Sequence, residues 1–586
     1  MKITQRAVRV VAFGALTFAL MQAQPLARAT VNGYTAEWWK EAVVYQVYPR
    51  SFNDSNGDGI GDLPGLTSKL DYLRTLGVDV IWLSPHFDSP NADNGYDIRD
   101  YRKVMREFGT MQDFDTLLDG LKRRHMKLII DLVVNHTSDE HAWFLQSRSS
   151  IGNPYRDYYI WRPAKNGGPP NNWTSFFGGS AWKLDAATGQ YYLHYFSEKQ
   201  PDLNWDNPKV RQEVYSLMTF WLDKGVDGFR MDVIPFISKD QTFPDYPVNF
   251  DGHPEFLYAA GPRVHEYLQE MNREVLSKYD DMTVGEAFGV RPDQATKFVD
   301  DRRHELDMIF DFDLVRIDRD GWRVTSWTVP QLKALYTKFD READKHSWNT
   351  VFLGNHDNPR AVSHFGDDSP PYRAASAKAL AMMMLTQKGT PFIFQGEELG
   401  MTNYPFQKIE DYDDVEARNG WKDRVLSGEV SADGYLKNLS KMSRDNARTP
   451  MQWDDTPQAG FTTGAKSWLP VNPNFKQINA AQQQADQASV YNFYRQLLAL
   501  RKSAPAFIYG DYQDLDPQHA AVFAYTRVLG PKKYLVLINL SSKPVLYRLP
   551  PGIKPGRQVL NNMGRSGESS GDLRLAAWEA GVYELD

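Results

Sequence analysis

The chain contains no cysteine, so disulfides and thiolate metal sites cannot contribute to its stability. Its 586 residues carry a formal net charge of −7, and the lysines and arginines are scattered rather than clustered. The sequence therefore lacks the basic surface that nucleic acids or anionic lipids require, and no nucleic-acid partner is predicted. This charge balance suits a neutral or polar small molecule, bound by a chain that we expect to be a monomer.

Long apolar runs are also missing, except at the N-terminus. There the segment from Val10 to about Ala23 follows three basic residues and precedes Ala27-Arg28-Ala29, a small-x-small cleavage site. About 14 apolar residues fall short of the ~20 that cross a bilayer. We therefore predict a signal peptide over residues 1–29, a periplasmic or secreted mature chain that begins near Thr30, and no membrane span within it.

Short apolar runs alternate with amphipathic segments from residue 42 to about residue 400, which is typical of repeated β/α units. The candidate strands are Val43–Tyr48, Val80–Ser84, Leu128–Val133, Gly228–Asp232, Thr283–Glu286, Met308–Phe312, Thr350–Leu353 and Pro391–Gln395. An open doubly wound sheet is the alternative. Eight units with polar residues at several strand ends favour an α/β fold closed into a (β/α)8 TIM barrel, formed by residues 30–136 and 209–507.

Three segments lie outside this alternation. The connection at 137–208, after the third strand, is rich in glycine, proline and aromatic residues and predicts an inserted subdomain. The charged segment 404–446 is expected to pack over the barrel mouth. Alternating patterns such as KYLVLINL predict a C-terminal antiparallel β-sandwich domain at 508–586.

Four carboxylates lie in strand-like contexts: Asp131 in KLIIDLVVNH, Asp232 in DGFRMDV, Glu286 in TVGEAF and Asp357 in FLGNHDN. A parallel barrel gathers its reactive side chains at the carboxyl ends of its strands, so these acids are expected at one mouth. Several acids without a metal-type histidine cluster indicate glycosidic-bond chemistry. In that reaction one carboxylate attacks the anomeric carbon and a second, protonated, releases the leaving oxygen. Asp131 is expected to hold its loop rather than to react.

DLVVNH, GFRMD, VGEAF and FLGNHD resemble the ordered sequence regions of the α-amylase superfamily (glycoside hydrolase family 13). QPDLN at Gln200–Asn204 is similar to its oligo-1,6-glucosidase subgroup, and the match extends from about residue 36 to the end. The resemblance implies that Asp232 is the nucleophile, Glu286 the general acid/base and Asp357 a third acid that holds sugar hydroxyls. Arg230, on the same strand face as Asp232, would favour the ionised nucleophile. Carboxyl groups of a retaining enzyme lie ~5 to 5.5 Å apart.

The resemblance also implies a sugar pocket. His136 and His356 would donate hydrogen bonds to hydroxyls of the glucosyl ring. Asp93 and Tyr96, in NADNGYDI, match the subsite that closes around the nonreducing end, and Arg448 of RDNART matches an arginine that reaches into it. A closed end selects exo-action on short sugars. Phe177 on the insertion and Phe288 beside Glu286 are candidates for stacking on sugar rings.

The run DSNGDGIGD, residues 54–62, alternates oxygen ligands with glycines. This spacing lets a tight loop wrap a hard cation such as calcium, although the loop lacks the twelfth-position glutamate of an EF-hand, so the ion's role would be structural. An Asx-rich turn without metal is the alternative. The matching loop of the resembling subgroup binds calcium, which implies the ligands Asp54, Asn56, Asp58, Asp62 and the carbonyl of Ile60.

Two activities, hydrolysis and isomerisation, use the same catalytic acids. They differ in what attacks the covalent glucosyl-enzyme intermediate: water in hydrolysis, and the retained fructose in isomerisation. Val233 follows the nucleophile, where α-1,6-cleaving hydrolases usually have valine and sucrose isomerases threonine. Residues 316–320 (RIDRD) resemble instead the charged loop of those isomerases. We favour a retaining, exo-acting α-glucosidase for isomaltose, isomaltulose or trehalulose, with a sucrose isomerase (isomaltulose or trehalulose synthase) as the alternative. A noncatalytic amylase-like binding protein is a minor alternative, because such proteins lose their catalytic acids.

Overall fold

The computed structural model describes residues 29–259, 261–342, 344–565 and 572–585. The predicted signal peptide falls almost entirely on residues 1–28 and so lies outside the described residues. Among the helices of the described ranges, none has the length and hydropathy needed to cross a membrane.

Eight parallel strands form the central sheet. They are β1 (Val44–Val47), β2 (Val80–Leu83), β3 (Lys127–Val133), β4 (Gly228–Asp232), β5 (Met282–Glu286), β6 (Met308–Phe310), β7 (Thr350–Val351) and β8 (Thr390–Phe394). Hydrogen bonds join them in the order β6-β5-β4-β3-β2-β1-β8-β7. The outer strands β6 and β7 meet where Thr350 Oγ1 donates to the carbonyl of Ile309 at 3.0 Å. The sheet therefore closes into the predicted TIM barrel, and the predicted strand bounds are correct to within two residues.

Amphipathic helices follow the strands and cover the barrel. They are α1 (Leu63–Ser68), α2 (Leu70–Leu76), α3 (Met111–Arg123), α4 (Pro208–Lys224), α5 (Val264–Glu274), α6 (Pro292–Val299), α7 (Val329–Glu342), α8 (Arg373–Leu385) and α9 (Val490–Ser503). Local sequence fixes their ends. Thr110 and Asp113 form a capping box at the start of α3, and α4 ends at Gly225, whose φ of 105° suits a residue without a Cβ.

The insertion after β3 contains helix Ala142–Ser149 and a three-stranded antiparallel sheet. In spatial order its strands are Trp161–Pro163, Gln190–Leu193 and Trp182–Asp185. The chain returns along the barrel rim, where the amide of Leu203 donates to the carbonyl of Asn135 at 2.9 Å. The insertion is thereby attached to the carboxyl end of β3.

The C-terminal region forms a five-stranded antiparallel sheet and a two-stranded ribbon. In spatial order the sheet contains Asp511–Asp514, Val522–Leu529, Lys532–Asn539, Ala580–Leu585 and Pro555–Asn561, and the ribbon pairs Val545–Tyr547 with Leu573–Leu575. Lys333 of α7 joins the barrel to this region by donating to the carbonyls of Asp516 and His519 at 2.6 and 3.0 Å. The predicted C-terminal antiparallel β domain is confirmed.

The segment after β8 contains helices Val415–Gly420 and Ala432–Met442. It reaches the insertion, because Asn419 Nδ2 donates to the carbonyl of Phe177 at 3.0 Å. The insertion and this segment together border the mouth at which the barrel strands end.

Candidate active site

One buried guanidinium group collects three of the predicted acids at the barrel mouth. Asp232 ends β4 and Glu286 ends the neighbouring β5. Arg230 Nη1 lies 2.6 Å from a carboxyl oxygen of both Asp131 and Asp232, and Nη2 lies 2.7 Å from Glu286 Oε2. Asp131 also accepts from the indole of Trp82 at 2.8 Å and is fully buried. Asp131 thus anchors Arg230, while Asp232 and Glu286 lie side by side on its two terminal nitrogens.

The charge balance of this cluster favours a stored proton, because three carboxylates surround a single cation. Burial raises the pKa of Asp232 well above its usual range, the charges of Glu286 and Asp131 add to this, and Arg230 opposes it. The sequence suggested that Arg230 would keep Asp232 ionised. The contact exists, but the guanidinium is shared among three acids, so its effect on any one of them is diluted. The carboxyl group of Asp232 therefore binds a proton more readily than that of a free aspartate.

The residue after Asp232 has an unusual backbone. Val233 has φ 35° and ψ 39°, a left-handed conformation that β-branched residues rarely adopt. Its amide N–H donates to Glu286 Oε2 at 3.1 Å. The sharp turn at the end of β4 thus supplies Glu286 with a second hydrogen-bond donor beside Arg230.

Asp357 lies in the loop after β7 and is held by arginines. Arg448 donates from Nη2 to Asp357 Oδ1 at 2.7 Å and from Nε to the carbonyl of His356 at 3.0 Å, and Arg444 Nη1 lies 3.5 Å from the same carboxyl oxygen. Burial by itself raises the pKa of Asp357. The His356 ring and the two guanidinium groups outweigh burial and hold that pKa well below its usual range. Asp357 is thus an ionised acceptor at neutral pH.

His356 is a neutral hydrogen-bonding ring, since burial lowers its pKa to about 3. Gln46 Nε2 lies 2.8 Å from Nδ1, while Tyr96 Oη and Asp357 Oδ2 lie 2.7 and 3.1 Å from Nε2. The ring of Tyr96 is parallel to the ring of His356, with centroids 5.3 Å apart. The predicted residues Tyr96, His356, Asp357 and Arg448 therefore form one continuous group.

Two residues that the sequence analysis did not single out complete this pocket. Gln200 donates from Nε2 to Asp93 Oδ2 at 3.1 Å, and Arg444 Nη2 lies 3.7 Å from Asp93 Oδ1. Arg444 also binds Asp414 at 2.5 Å, which holds its side chain between Asp93 and Asp357. The position of Gln200 in QPDLN and the charges of SRDNAR were the available signals. His136 lies behind Asp93, with its side chain buried and Nε2 3.1 Å from the carbonyl of Tyr96.

The two predicted stacking rings are half-buried, and each carries a guanidinium group on one face. Arg444 lies 5.4 Å from the ring centre of Phe177, and Arg316 lies 5.1 Å from that of Phe288. Arg316 begins the charged loop, which continues into a hairpin that pairs Arg319–Asp320 with Arg323–Val324. This loop therefore reaches Phe288, two residues from Glu286.

The predicted calcium loop is built from turns closed by its own side chains. Asn56 Oδ1 accepts from the amide of Asp58, Asp58 Oδ1 accepts from the amide of Ile60, and Asp54 accepts three further amides. Asp54 Oδ1 accepts two of these amides, but Asp54 Oδ2, Asn56 Oδ1 and Asp58 Oδ1 accept one each and keep a second lone pair, so the donor set still fits a hard cation. Within the described ranges no three or more His, Cys, Asp or Glu side chains converge as a metal site. A calcium site here would depend also on Asn56 and the carbonyl of Ile60.

Comparisons with known proteins agree with this architecture. Residues 46–510 match the family model described as "Alpha amylase, catalytic domain". The chain is 53% identical over 563 residues to an oligo-1,6-glucosidase of Parageobacillus thermoglucosidasius, covering 94% of this chain and 99% of the relative. A solved isomaltulose synthase from Erwinia rhapontici NX5 is 55% identical with a TM-score of 0.93, covering 94% of this chain and 99% of that one. Another from Klebsiella sp. LX3 is 54% identical with a TM-score of 0.93, covering 94% and 100%. Overall identity does not separate hydrolase from isomerase.

Proposed function

This chain belongs to the α-amylase family of glycoside hydrolases, and we propose that it is a retaining, exo-acting α-glucosidase that hydrolyses α-1,6 and related linkages. Its substrates would be short glucosides such as isomaltose, isomaltulose or trehalulose. One observation carries this proposal: Asp232 and Glu286 bind adjacent nitrogens of the Arg230 guanidinium group. That arrangement favours the short separation of ~5 to 5.5 Å on which a retaining mechanism depends.

The proposed reaction needs Asp232 ionised and Glu286 protonated when the sugar binds. Asp232 attacks the anomeric carbon, the bond to the leaving oxygen breaks, and Glu286 gives its proton to that oxygen. Water then attacks the glucosyl ester, Glu286 takes a proton back, and the bond to Asp232 breaks. The amide of Val233 and Nη2 of Arg230 hold the Glu286 carboxyl group through both steps.

Exo-action follows from the closed end of the pocket. Arg444 lies between Asp93 and Asp357, at 3.7 and 3.5 Å, and Arg448 holds the other side of Asp357. The ionised carboxylate of Asp357, fixed in this way, is a good acceptor for sugar hydroxyls. We expect these ion pairs to close the pocket beyond the nonreducing end and so to limit cleavage to one glucose at a time.

Product analysis tests the proposal. Purified protein would be incubated separately with isomaltose, isomaltulose and sucrose, and the sugars separated at short and long times. We expect free glucose from isomaltose and free glucose with fructose from isomaltulose. Release of α-glucose as the first-formed anomer, followed by NMR, would support retention, whereas β-glucose would exclude it. Asp232→Asn serves as the control for contaminating glucosidases.

Sucrose isomerisation is the second candidate, favoured by the charged loop. Arg316 covers one face of Phe288, so a cation and an aromatic ring lie next to the acid/base on the side where the leaving sugar departs. Such a surface could retain fructose until it attacks the glucosyl-enzyme through another hydroxyl. Isomaltulose or trehalulose as the main products from sucrose would make this the correct assignment and overturn the hydrolase. The noncatalytic alternative is disfavoured, because both reacting acids are present and adjacent.

We also propose that the loop at residues 54–62 binds a structural calcium ion. The support is its donor chemistry: carboxylate, amide and carbonyl oxygens alternate along one turn, and Asp54 Oδ2, Asn56 Oδ1 and Asp58 Oδ1 each keep a free lone pair. The loop also accepts the amide of Gly65 through Asp62, at the start of α1. An ion at this position would therefore stabilise the connection between β1 and its first helix.

A further inference from the structure

Lys239 is a buried lysine that the proposed mechanism does not use. It follows β4 by seven residues and is 2% exposed. Its Nζ lies 2.6 Å from Asn135 Oδ1 and 3.1 Å from Asp202 Oδ2, and 5.0 Å from the ring centre of Tyr195. Asn135 follows β3 and Asp202 belongs to the insertion, so the ammonium group joins three separate parts of the mouth.

These contacts fix the orientation of the Asn135 side-chain amide. An ammonium group only donates hydrogen bonds, so the atom 2.6 Å from it must be the amide oxygen. A carboxylate only accepts, and Asp202 Oδ1 lies 3.4 Å from the other end of the amide, which must therefore be the nitrogen. The two charges exclude the flipped amide.

The amide orientation in turn fixes the tautomer of His136. The nitrogen of the Asn135 amide lies 3.1 Å from His136 Nδ1, so Nδ1 accepts and cannot carry a hydrogen. The neutral ring must then carry its hydrogen on Nε2, which points to the carbonyl of Tyr96 at 3.1 Å. The ring is neutral, since burial and then the charge of Lys239 lower the pKa of His136 to about 3.

We propose that Lys239 is a positioning residue that acts through Asn135 to set His136 as its Nε2–H tautomer. That hydrogen holds the carbonyl of Tyr96, the residue whose hydroxyl binds His356. Gln200 Nε2 also lies 3.2 Å from His136 Nε2, but its two hydrogens go to Asp93 Oδ2 at 3.1 Å and to the carbonyl of Tyr96 at 3.4 Å, so neither is left for the ring.

NMR of protein labelled with 15N in its histidine rings tests this directly, and His136→Gln identifies the signal. In the wild type we expect a single neutral tautomer with the hydrogen on Nε2 between pH 5.5 and 8. In Lys239→Met we expect mixed tautomers or the Nδ1–H form, and a raised pKa of His136, because the amide can flip and the ammonium charge is gone. An unchanged Nε2–H signal in Lys239→Met would overturn the inference.

Matched variants distinguish the proposed effect of Lys239 on the His136 tautomer from the general effect of removing a buried lysine. Lys333→Met removes another buried lysine, far from the mouth, whose ammonium donates to carbonyls of the C-terminal region. It should leave the His136 signal unchanged. Lys239→Gln offers an amide N–H to Asn135 and should restore the wild-type tautomer in part. If Lys239→Met does not fold, the double variant Lys239→Met/Asp202→Asn removes the carboxylate that would otherwise be left buried without its partner. This double variant should show the same altered tautomer of His136. The wild-type tautomer in the double variant would also overturn the inference.

The expected effect of Lys239 on catalysis rests on the proposed function, and it is measured by enzyme kinetics rather than by NMR. Loosening of the Tyr96 loop should lower kcat/KM for isomaltose by up to about 100-fold, since small displacements at a reacting centre have effects of that size. A tautomer change without any measurable glucosidase activity in the wild type would contradict the proposed function and leave the role of Lys239 intact. A normal tautomer with lowered activity would contradict the role of Lys239 alone.

Discussion

The amide of Val233 donates to Glu286 Oε2 at 3.1 Å from a backbone with φ 35°. A left-handed conformation costs an L-residue with a Cβ roughly 1–2 kcal/mol, and glycine does not bear this cost. The strained turn directs a backbone donor at Glu286, the residue that we propose as the general acid/base.

This strain predicts an inverted order of stability at position 233. Val233→Ala and Val233→Gly lose the same apolar contacts apart from one methyl group, so their difference reports on the backbone. We expect the glycine variant to be the more stable of the two by about 1 kcal/mol, whereas at an ordinary helical position glycine is the less stable by a similar amount. Thermal unfolding of the two Val233 variants measures this difference. The control is Ala377→Gly, which makes the same alanine-to-glycine change inside helix α8 and should lower the Tm relative to wild type. A less stable glycine at position 233 would argue against strain.

Replacing Asp232, the proposed nucleophile, should separate the effect on activity from the effect on stability. Asp232→Asn removes the attacking oxygen, so we expect kcat for isomaltose to fall by about 10⁴-fold or more. Because the folded pKa of Asp232 is raised, the ionised carboxyl lowers stability as the pH rises above its unfolded value of about 3.9. The variant should therefore melt no lower than wild type at pH 7. Wild-type turnover would exclude Asp232, and a large loss of Tm would contradict the charge balance described above.

The sequence predicted the barrel well because its signals are local. Apolar β-rich runs fix the strands, and a side chain at the last position of a strand, such as Asp232 or Glu286, is bound to reach the mouth of a parallel barrel. Both acids could therefore be placed next to one another before any coordinates were known. Their chemistry was harder to predict, since the sharing of Arg230 among three acids depends on which strands are neighbours.

Other parts of the site arise only from convergence of distant segments. Gln200 comes from the insertion and Arg444 from the segment after β8, yet both reach Asp93. The motifs QPDLN and SRDNAR mark both segments as unusual, but neither motif indicates that the two side chains converge on Asp93. The conformation of Val233 runs against local preference, because β-branched residues avoid positive φ, so propensity alone would never predict it.

The low pKa of Asp357 predicts a pH-dependent contribution to stability. A carboxyl group whose folded pKa is depressed stabilises the protein fully above its unfolded pKa of about 3.9, and this contribution declines as the pH falls below that value. Asp357→Asn should lower the free energy of unfolding at pH 7 by roughly 1–3 kcal/mol, as expected for charged hydrogen bonds. The Tm difference from wild type should stay constant above about pH 5 and should shrink as the pH falls from about 4 to about 2.5.

A surface carboxylate provides the control for Asp357. A hydrogen bond from Arg302 lowers the pKa of Asp300 to about 2, but this pair lies near solvent. Asp300→Asn should change the free energy of unfolding by no more than about 1 kcal/mol, because exposed ion pairs contribute little. A Tm difference for Asp357→Asn that stays constant with pH would show that the ionised carboxylate is not the cause.

The calcium proposal predicts that the Tm of the protein depends on calcium through the loop at residues 54–62 alone. Chelation should lower the Tm, and calcium at about 100 times its Kd should restore about 2.7 kcal/mol of stability. Magnesium should restore less, since it prefers a smaller octahedral shell and keeps its waters. Asp58 is exposed and binds only the amide of Ile60, so Asp58→Ala should abolish the calcium-dependent rise in Tm with little change in the metal-free protein. An identical Tm for metal-free and calcium-loaded wild type would leave the loop as an Asx-rich turn, closed by the same amides that Asp54 already accepts.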